Sequence, residues 1–452
     1  MADVDTRPAD DRTEGELPWH LKGNWAPVSD ELDVTDLEIE GALPAGLEGR
    51  YIRNGMNPKG GWSDHWFFGH GMVHAVDLDG GRARYRNRYV RSPYFEKDGM
   101  GLEEMMDAEA SPANTHVLRH AGRLLALEEQ HLPYELDDEL GTVGVENFDG
   151  QIDGPFTAHP RICPTTGELF AFGYNVASEP YLTYYRVDPK GALVQIEPIE
   201  IPHPVMMHDW NLTADNVVFM DLPVRFSIEK AMAGDDPFYW DADAGARLGV
   251  MPRTGGNDDV RWYEIEPCYV FHPLNAHQDG ERIVLTVCRL DRAMAGGFGD
   301  IAEKAKLWRW TIDPASGTVA EEQLDDRLSD FPRVDDRLVG LPARYGYTAQ
   351  LAQNPDNPDL GNEIYRYDLE TGEPEVHRMG PTMSVGEPVF APAGPDAGET
   401  DGWVLLIAHD VAEGRSELRV IDAADFSGAP VARVFLPQRV PYGAHGSWIP
   451  AA

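Results

Sequence analysis

Four of the fifteen histidines stand in similar settings, inside strand-like text and beside small or apolar residues. They are Phe156-Thr157-Ala158-His159-Pro160, Met206-Met207-His208-Asp209-Trp210, Val270-Phe271-His272-Pro273 and Tyr442-Gly443-Ala444-His445-Gly446. An imidazole in apolar surroundings needs a partner for each ring nitrogen; a metal ion supplies one and a carboxylate or carbonyl the other. Taken singly, each is more often a satisfied core histidine than a ligand. The intervals of 49, 64 and 173 residues match no local metal motif, so one shared ion would draw its ligands from distant segments. Imidazole-only ligation suits Fe(II), Cu(II), Ni(II) or Zn(II), and the ligand set alone does not choose among them.

Elements that bring four distant side chains together must converge on one point. The chain is written in short runs of β-branched and aromatic residues broken by Asp, Gly, Pro and Asn, the pattern of many short strands. An alternating run, then Asp, then a turn recurs at His74–Gly81, Tyr184–Gly191, Leu307–Gly317 and Ile364–Gly372, and again, without the glycine, at Leu418–Asp422. Asp and Gly supply the turn geometry and the alternating residues supply one buried face. Repeated hairpins predict the blades of a β-propeller, whose innermost strands meet at an axis, with a β-sandwich array as the alternative. Residues 93–112 and 226–253, rich in Met and aromatic side chains, read as insertions that form a pocket wall, an exposed patch or satellite core packing.

Composition narrows the function classes. With 77 acidic and 38 basic residues the formal charge is −39, which repels phosphate backbones and excludes nucleic acid as a partner. The first sixteen residues are polar and acid-rich, so residues 1–18 are expected to be disordered and 19–452 to form a single propeller domain. No signal peptide and no apolar run of membrane-spanning length is present, which predicts a soluble cytoplasmic protein. Cys163, Cys268 and Cys288 lack CxxC spacing and read as buried thiols. There is no GxSxG or GxxxxGK[ST], and Gly296-Gly297-Phe298-Gly299 reads as a turn.

The segments GNWAPV (Gly23–Val28), GALPAGLEGRYIRNGMNP (Gly41–Pro58), FFGHGMVHAV (Phe67–Val76), FTAHP, MHDWNLT, FHPLNAHQDG and VPYGAHGSW resemble the carotenoid cleavage oxygenase family. That family includes carotenoid and apocarotenoid dioxygenases, stilbene-cleaving dioxygenases and the retinal pigment epithelium isomerase. The likeness runs from about Gly23 to Ile449, with Met56 where the family has Pro and His70 where it has Asp. It implies an all-β, seven-bladed propeller with a dome of loops and short helices. It also implies Fe(II) held by His159, His208, His272 and His445, and dioxygen as co-substrate.

The same resemblance places Glu129, Asp330 and Glu387 behind the ligand imidazoles, Asp330 standing where the family has Glu. Thr115 matches a threonine that crowds an iron coordination position, while Met206 and Phe271 are expected to line the substrate tunnel. Glu128 takes the place of a phenol-gripping lysine in stilbene-cleaving relatives and of a tryptophan in apocarotenoid enzymes; as a carboxylate it accepts a hydrogen bond from a substrate hydroxyl or faces a neighbouring base. The implied reaction is scission of a C=C bond of a carotenoid, apocarotenoid or similar lipophilic or aromatic alkene into two carbonyl products. A stilbenoid or propenylphenol substrate, and a propeller that binds without turnover, are the alternatives. The patch at 226–240 suggests transient membrane contact, and no obligate protein partner is evident.

Overall fold

Alternating apolar runs bounded by Asp and Gly fold into antiparallel hairpins, and these stack side by side around a ring. The computed structural model describes residues 17–97, 99–233, 235–296, 303–352, 360–372 and 374–451. Residues 1–16 of the acidic segment, and Gly297 and Gly299, lie outside them. Seven sheets of four to six antiparallel strands form seven blades, and a separate two-stranded hairpin joins Val224–Phe226 to Phe238–Trp240. The expected propeller is the observed fold.

The repeated Asp turn has a direct physical basis. Asp188 Oδ1 accepts the backbone N–H groups of Lys190 and Ala192, each at 2.9 Å, and Gly191 follows at φ 89°. Asp313 does the same for Ala315 at 2.9 Å, ahead of Gly317 at φ 73°. The side chain stands in for the missing strand partner, and glycine takes the left-handed backbone without a Cβ clash. Leu418–Asp422 belongs to the strand Arg415–Asp422, whose partner Ala432–Phe435 is reached by a longer loop.

Blade one carries Gly446–Pro450 as its innermost strand, next to Gly49–Arg53. Blades two to six begin at their inner edges with His116–His120, Arg161–Ile162, Asn211–Leu212, Tyr269–Asp279 and Ser329–Arg333. Blade seven begins with Met383–Ser384 and Val389–Pro392. Its outermost strand is Ile39–Gly41 from the N-terminal part of the chain, so the ring is sealed twice by segments far apart in sequence.

Between blades lie apolar clusters, the largest containing Phe172, Tyr184, Trp210 and Phe219, all fully buried. Trp210 stacks on Phe219 with centroids 5.8 Å apart. At the seam, Trp448 packs with Tyr51, Val76, Leu405 and Val434. The expected insertions are the short helices Leu102–Met106 and Ile228–Ala233, which expose Met106 and Met232. No helix among the described residues is long and apolar enough to cross a membrane.

Because the seam joins the first and last blades, Trp448→Ala is expected to cost about 3–5 kcal/mol of stability, the usual loss for a buried large aromatic. Equilibrium unfolding in urea measures it. A loss below about 1 kcal/mol, the range of ordinary surface substitutions, would show that this packing does not hold the ring.

Candidate metal centre

Each blade delivers one side chain to the axis, at or just ahead of its innermost strand. In ring order these are His445, Thr115, His159, His208, His272, Asp330 and Glu387. Four histidine nitrogens, one from each of His159, His208, His272 and His445, lie within 4.8 Å of one another. Nε2 of His208 is 3.0 Å from Nε2 of His159 and 3.2 Å from Nε2 of His272. Nitrogens on two ligands of one ion, each bonded at roughly 2.1 Å, stand about 3.0 Å apart at a right angle and about 3.4 Å apart at a tetrahedral one. The two observed separations are of the size that nitrogens sharing one ion adopt.

The far side of three rings is held by carboxylates. His208 Nδ1 donates to Glu129, His272 Nδ1 to Asp330 at 2.9 Å and His445 Nδ1 to Glu387 at 2.8 Å. A proton on Nδ1 leaves the lone pair on Nε2, so these rings aim lone pairs at a common point. Such an arrangement is mutually repulsive without a cation and stabilised by one. His159 is supported differently: its Nδ1 is 3.6 Å from Asp209, beyond hydrogen-bond range, and its carbonyl accepts the Trp210 indole N–H at 3.0 Å. Asp209 is itself fixed by Arg161 at 2.6 and 2.8 Å.

Asp330 reaches His272 directly although it is one methylene shorter than glutamate. The register of its strand against Tyr345–Leu351 slips between Asp330 and Arg333, and Phe331 inside the slip takes φ 54°. A non-glycine residue in that region costs about 1–2 kcal/mol. Within this slip the Phe331 ring lies stacked on His272, with centroids 5.4 Å apart.

The other expected residues are placed as follows. Thr115 donates its hydroxyl to Asn114 at 3.0 Å, and its carbonyl accepts the His445 N–H at 2.9 Å. Phe271 stands beside the ligands, its ring 5.4 Å from that of His208. Met206 is packed in the core, and its carbonyl accepts the Tyr269 hydroxyl at 3.1 Å. Glu128 turns to a neighbouring base, with His131 Nδ1 at 2.6 Å and the Gln130 N–H at 3.0 Å.

Sequence reasoning missed several participants. Tyr174 donates to the free oxygen of Glu129 at 2.6 Å, and His116, next to Thr115, donates to the carbonyl of Ala158 at 3.0 Å. Arg333 binds Glu387 at 3.2 Å. A tyrosine in an apolar run and a histidine following a named threonine carry no distinguishing local signal.

Burial holds several of these histidines neutral. It lowers His159 well below its ordinary value, His116 to about 3 and His445 to about 4, the last against the pull of Glu387. For His208 burial also lowers, but Glu129 outweighs it and the net direction is up. Burial opposes ionisation of Glu387, yet Arg333 and His445 draw its carboxyl down to about 2. A histidine with a folded pKa below 6.5 takes its proton first in the unfolded chain, so stability is full above pH 6.5 and is lost as pH falls toward the folded value. The metal-free protein is therefore expected to lose stability between pH 6.5 and about 4. Urea midpoints across that window measure it, and a flat profile would contradict the neutral, buried rings.

With this geometry in place, comparison with known proteins is direct. The family described as retinal pigment epithelial membrane protein matches residues 25–450. A carotenoid cleavage oxygenase of Mycobacterium tuberculosis is 39% identical, covering 95% of this chain and 97% of its own. A resveratrol cleavage oxygenase of Aspergillus fumigatus is 33% identical, covering 95% of each chain. The crystal structure of Pseudomonas brassicacearum lignostilbene dioxygenase superposes with a TM-score of 0.89 at 32% identity, over 96% of this chain and 99% of that one. Extended over nearly the whole length, this likeness joins the four-histidine axis to a known lineage: the chain belongs to the carotenoid cleavage oxygenase family, the group that includes the retinal pigment epithelial protein.

Proposed function

We propose that the chain is an Fe(II)-dependent dioxygenase that cleaves a C=C bond of a carotenoid, apocarotenoid or similar conjugated alkene into two carbonyl products. The observation that carries this reading is the set of four axial histidine nitrogens within 4.8 Å, three of them on rings oriented by carboxylates. His159, His208, His272 and His445 would hold the metal. Bound Fe(II) would supply the redox-active centre at which both atoms of O₂ are delivered to the two alkene carbons.

The protein's own residues do the rest. Glu129, Asp330 and Glu387 keep the Nδ1 protons in place and so keep the Nε2 lone pairs directed inward. Phe271 and Phe331, edge-on to His208 and stacked on His272, give the metal face an apolar rim that excludes water and suits a conjugated hydrocarbon. Glu128 and His131 form a buried polar pair one residue from Glu129, placed to accept a terminal hydroxyl of the substrate.

A carotenoid-type substrate is favoured by the higher identity of the mycobacterial relative, 39% against 33% for the resveratrol-cleaving one. A stilbenoid substrate is the second reading, favoured by the fit to lignostilbene dioxygenase. Exposed Ile228 and Met232 on the helix Ile228–Ala233 support transient contact with a membrane, where lipophilic alkenes reside.

Aerobic incubation of Fe(II)-loaded protein with an apocarotenal and with a hydroxystilbene, read by mass spectrometry, is expected to give aldehydes from the apocarotenal. Products from the stilbene alone would replace the first substrate class by the second. A purified protein without stoichiometric iron, whose function survives His272→Ala, would leave a binding propeller instead. For a hydroxylated substrate, Glu128→Gln is expected to raise KM roughly tenfold or more, the loss of a hydrogen bond to a charged group, with kcat nearly unchanged. Equal KM values for hydroxylated and unhydroxylated substrates in both proteins would remove Glu128 from recognition.

A further inference from the structure

Residues three apart in a regular strand project to opposite faces of the sheet. Asp330 and Arg333 are three apart, yet both serve the axial site, because the register slip between them and the left-handed Phe331 turn the strand over. Asp330 holds His272. Arg333 reaches past its own blade: its Nη1 donates to Glu387 Oε2 at 3.2 Å and to the carbonyl of Gly446 at 2.6 Å, and its Nη2 to Asp336 at 3.0 Å.

We infer that Arg333 is a positioning residue for the metal ligands, setting the orientation of His445 through Glu387, so that one bulge in blade six orients two of the four histidines. The hydrogen bonds close a small circuit. Glu387 Oε1 takes the His445 Nδ1 proton at 2.8 Å, and Oε2 takes the Gly446 N–H at 2.7 Å as well as Arg333. The Gly446 carbonyl returns to the same guanidinium nitrogen. Glu387 is only 2% exposed, so without Arg333 its carboxylate has no fixed counter-charge and one oxygen short of its partners. Arginine suits the task because its planar fork bonds Glu387, Gly446 and Asp336 at once, which a lysine ammonium on a flexible stem does not reproduce. Gly446 cannot carry a side chain here, since a Cβ would lie 2.7 Å from the Ile52 carbonyl, so the backbone presents both of its polar groups to the circuit.

This inference rests on the four-histidine reading of the metal centre. Co(II) titration of metal-free, full-length protein tests it, with dissociation constants and the visible cobalt spectrum recorded for wild type, Arg333→Gln, Glu387→Gln and the double variant. Loss of a group that supports a metal ligand weakens binding about 10–100-fold, and Arg333→Gln is expected to do so and to alter the cobalt spectrum. In the Glu387→Gln background the same substitution is expected to change the constant by less than about twofold, because the route through Glu387 is already cut. Arg333→Lys, which keeps the charge, is expected to fall between wild type and Arg333→Gln, and it carries the same cycle if the glutamine variant does not fold.

Equal fold-changes in the two backgrounds, or an unchanged constant, would overturn the inference by making Arg333 a structural ion pair only. Wild-type protein that binds neither cobalt nor iron would instead overturn the metal centre itself.

Discussion

Four imidazoles can aim their lone pairs at one point only if the opposite side of each ring is held, and the rest of this molecule is arranged around that requirement. A free imidazole chooses between two tautomers and rotates about its side-chain bonds; a carboxylate at Nδ1 removes both freedoms. Glu129, Asp330 and Glu387 do this for three rings. Each of these carboxylates is in turn fixed: Glu129 by Tyr174, Asp330 by the backbone N–H of Phe331 at 2.8 Å, and Glu387 by Arg333 and Gly446. The arrangement is costly in isolation, since it gathers buried carboxylates around a knot of nitrogens. A divalent cation at the centre would supply the missing positive charge, so residues unfavourable as a core suit a metal site.

The propeller solves the problem of distance. Histidines with intervals of up to 173 residues between successive members become neighbours because each is carried at or just ahead of the innermost strand of a blade. Closing the ring with strands from both ends of the chain links this geometry to global folding. His445 lies immediately ahead of Gly446–Pro450, the strand that seals blade one, so an open seam would also remove a ligand. The outer strands, with half-exposed patterns such as Leu193–Ile199, carry little of this constraint and are free to vary.

How much of this was legible in the sequence follows from the range of each signal. The hairpins were readable because their information is local: Asp188 and Asp313 satisfy backbone groups two residues away. The four histidines were readable only as candidates, since nothing within ten residues of His159 refers to His445; the family segments joined them. The resemblance sets Asp330 behind a ligand imidazole, and its contact with His272 goes with a register slip in its strand. Alternation by twos assigns Arg333 to the opposite face from Asp330, and no composition rule announces the slip that reverses it. Glu128 illustrates the other limit: its type suits either a substrate hydroxyl or a neighbouring base, and the base is His131, three residues on.

That engagement bears on chemistry as well as on assignment. Burial lowers the His131 imidazole, but the Glu128 carboxylate beside it outweighs burial and the net direction is up. Glu128 uses one oxygen, Oε2, for both His131 and the Gln130 N–H. His131 is tied by its second nitrogen to the carbonyl of Glu104 at 3.1 Å, in the helix Leu102–Met106. The stretch Glu128 to His131 therefore links the support of His208, through Glu129, to the helix Leu102–Met106.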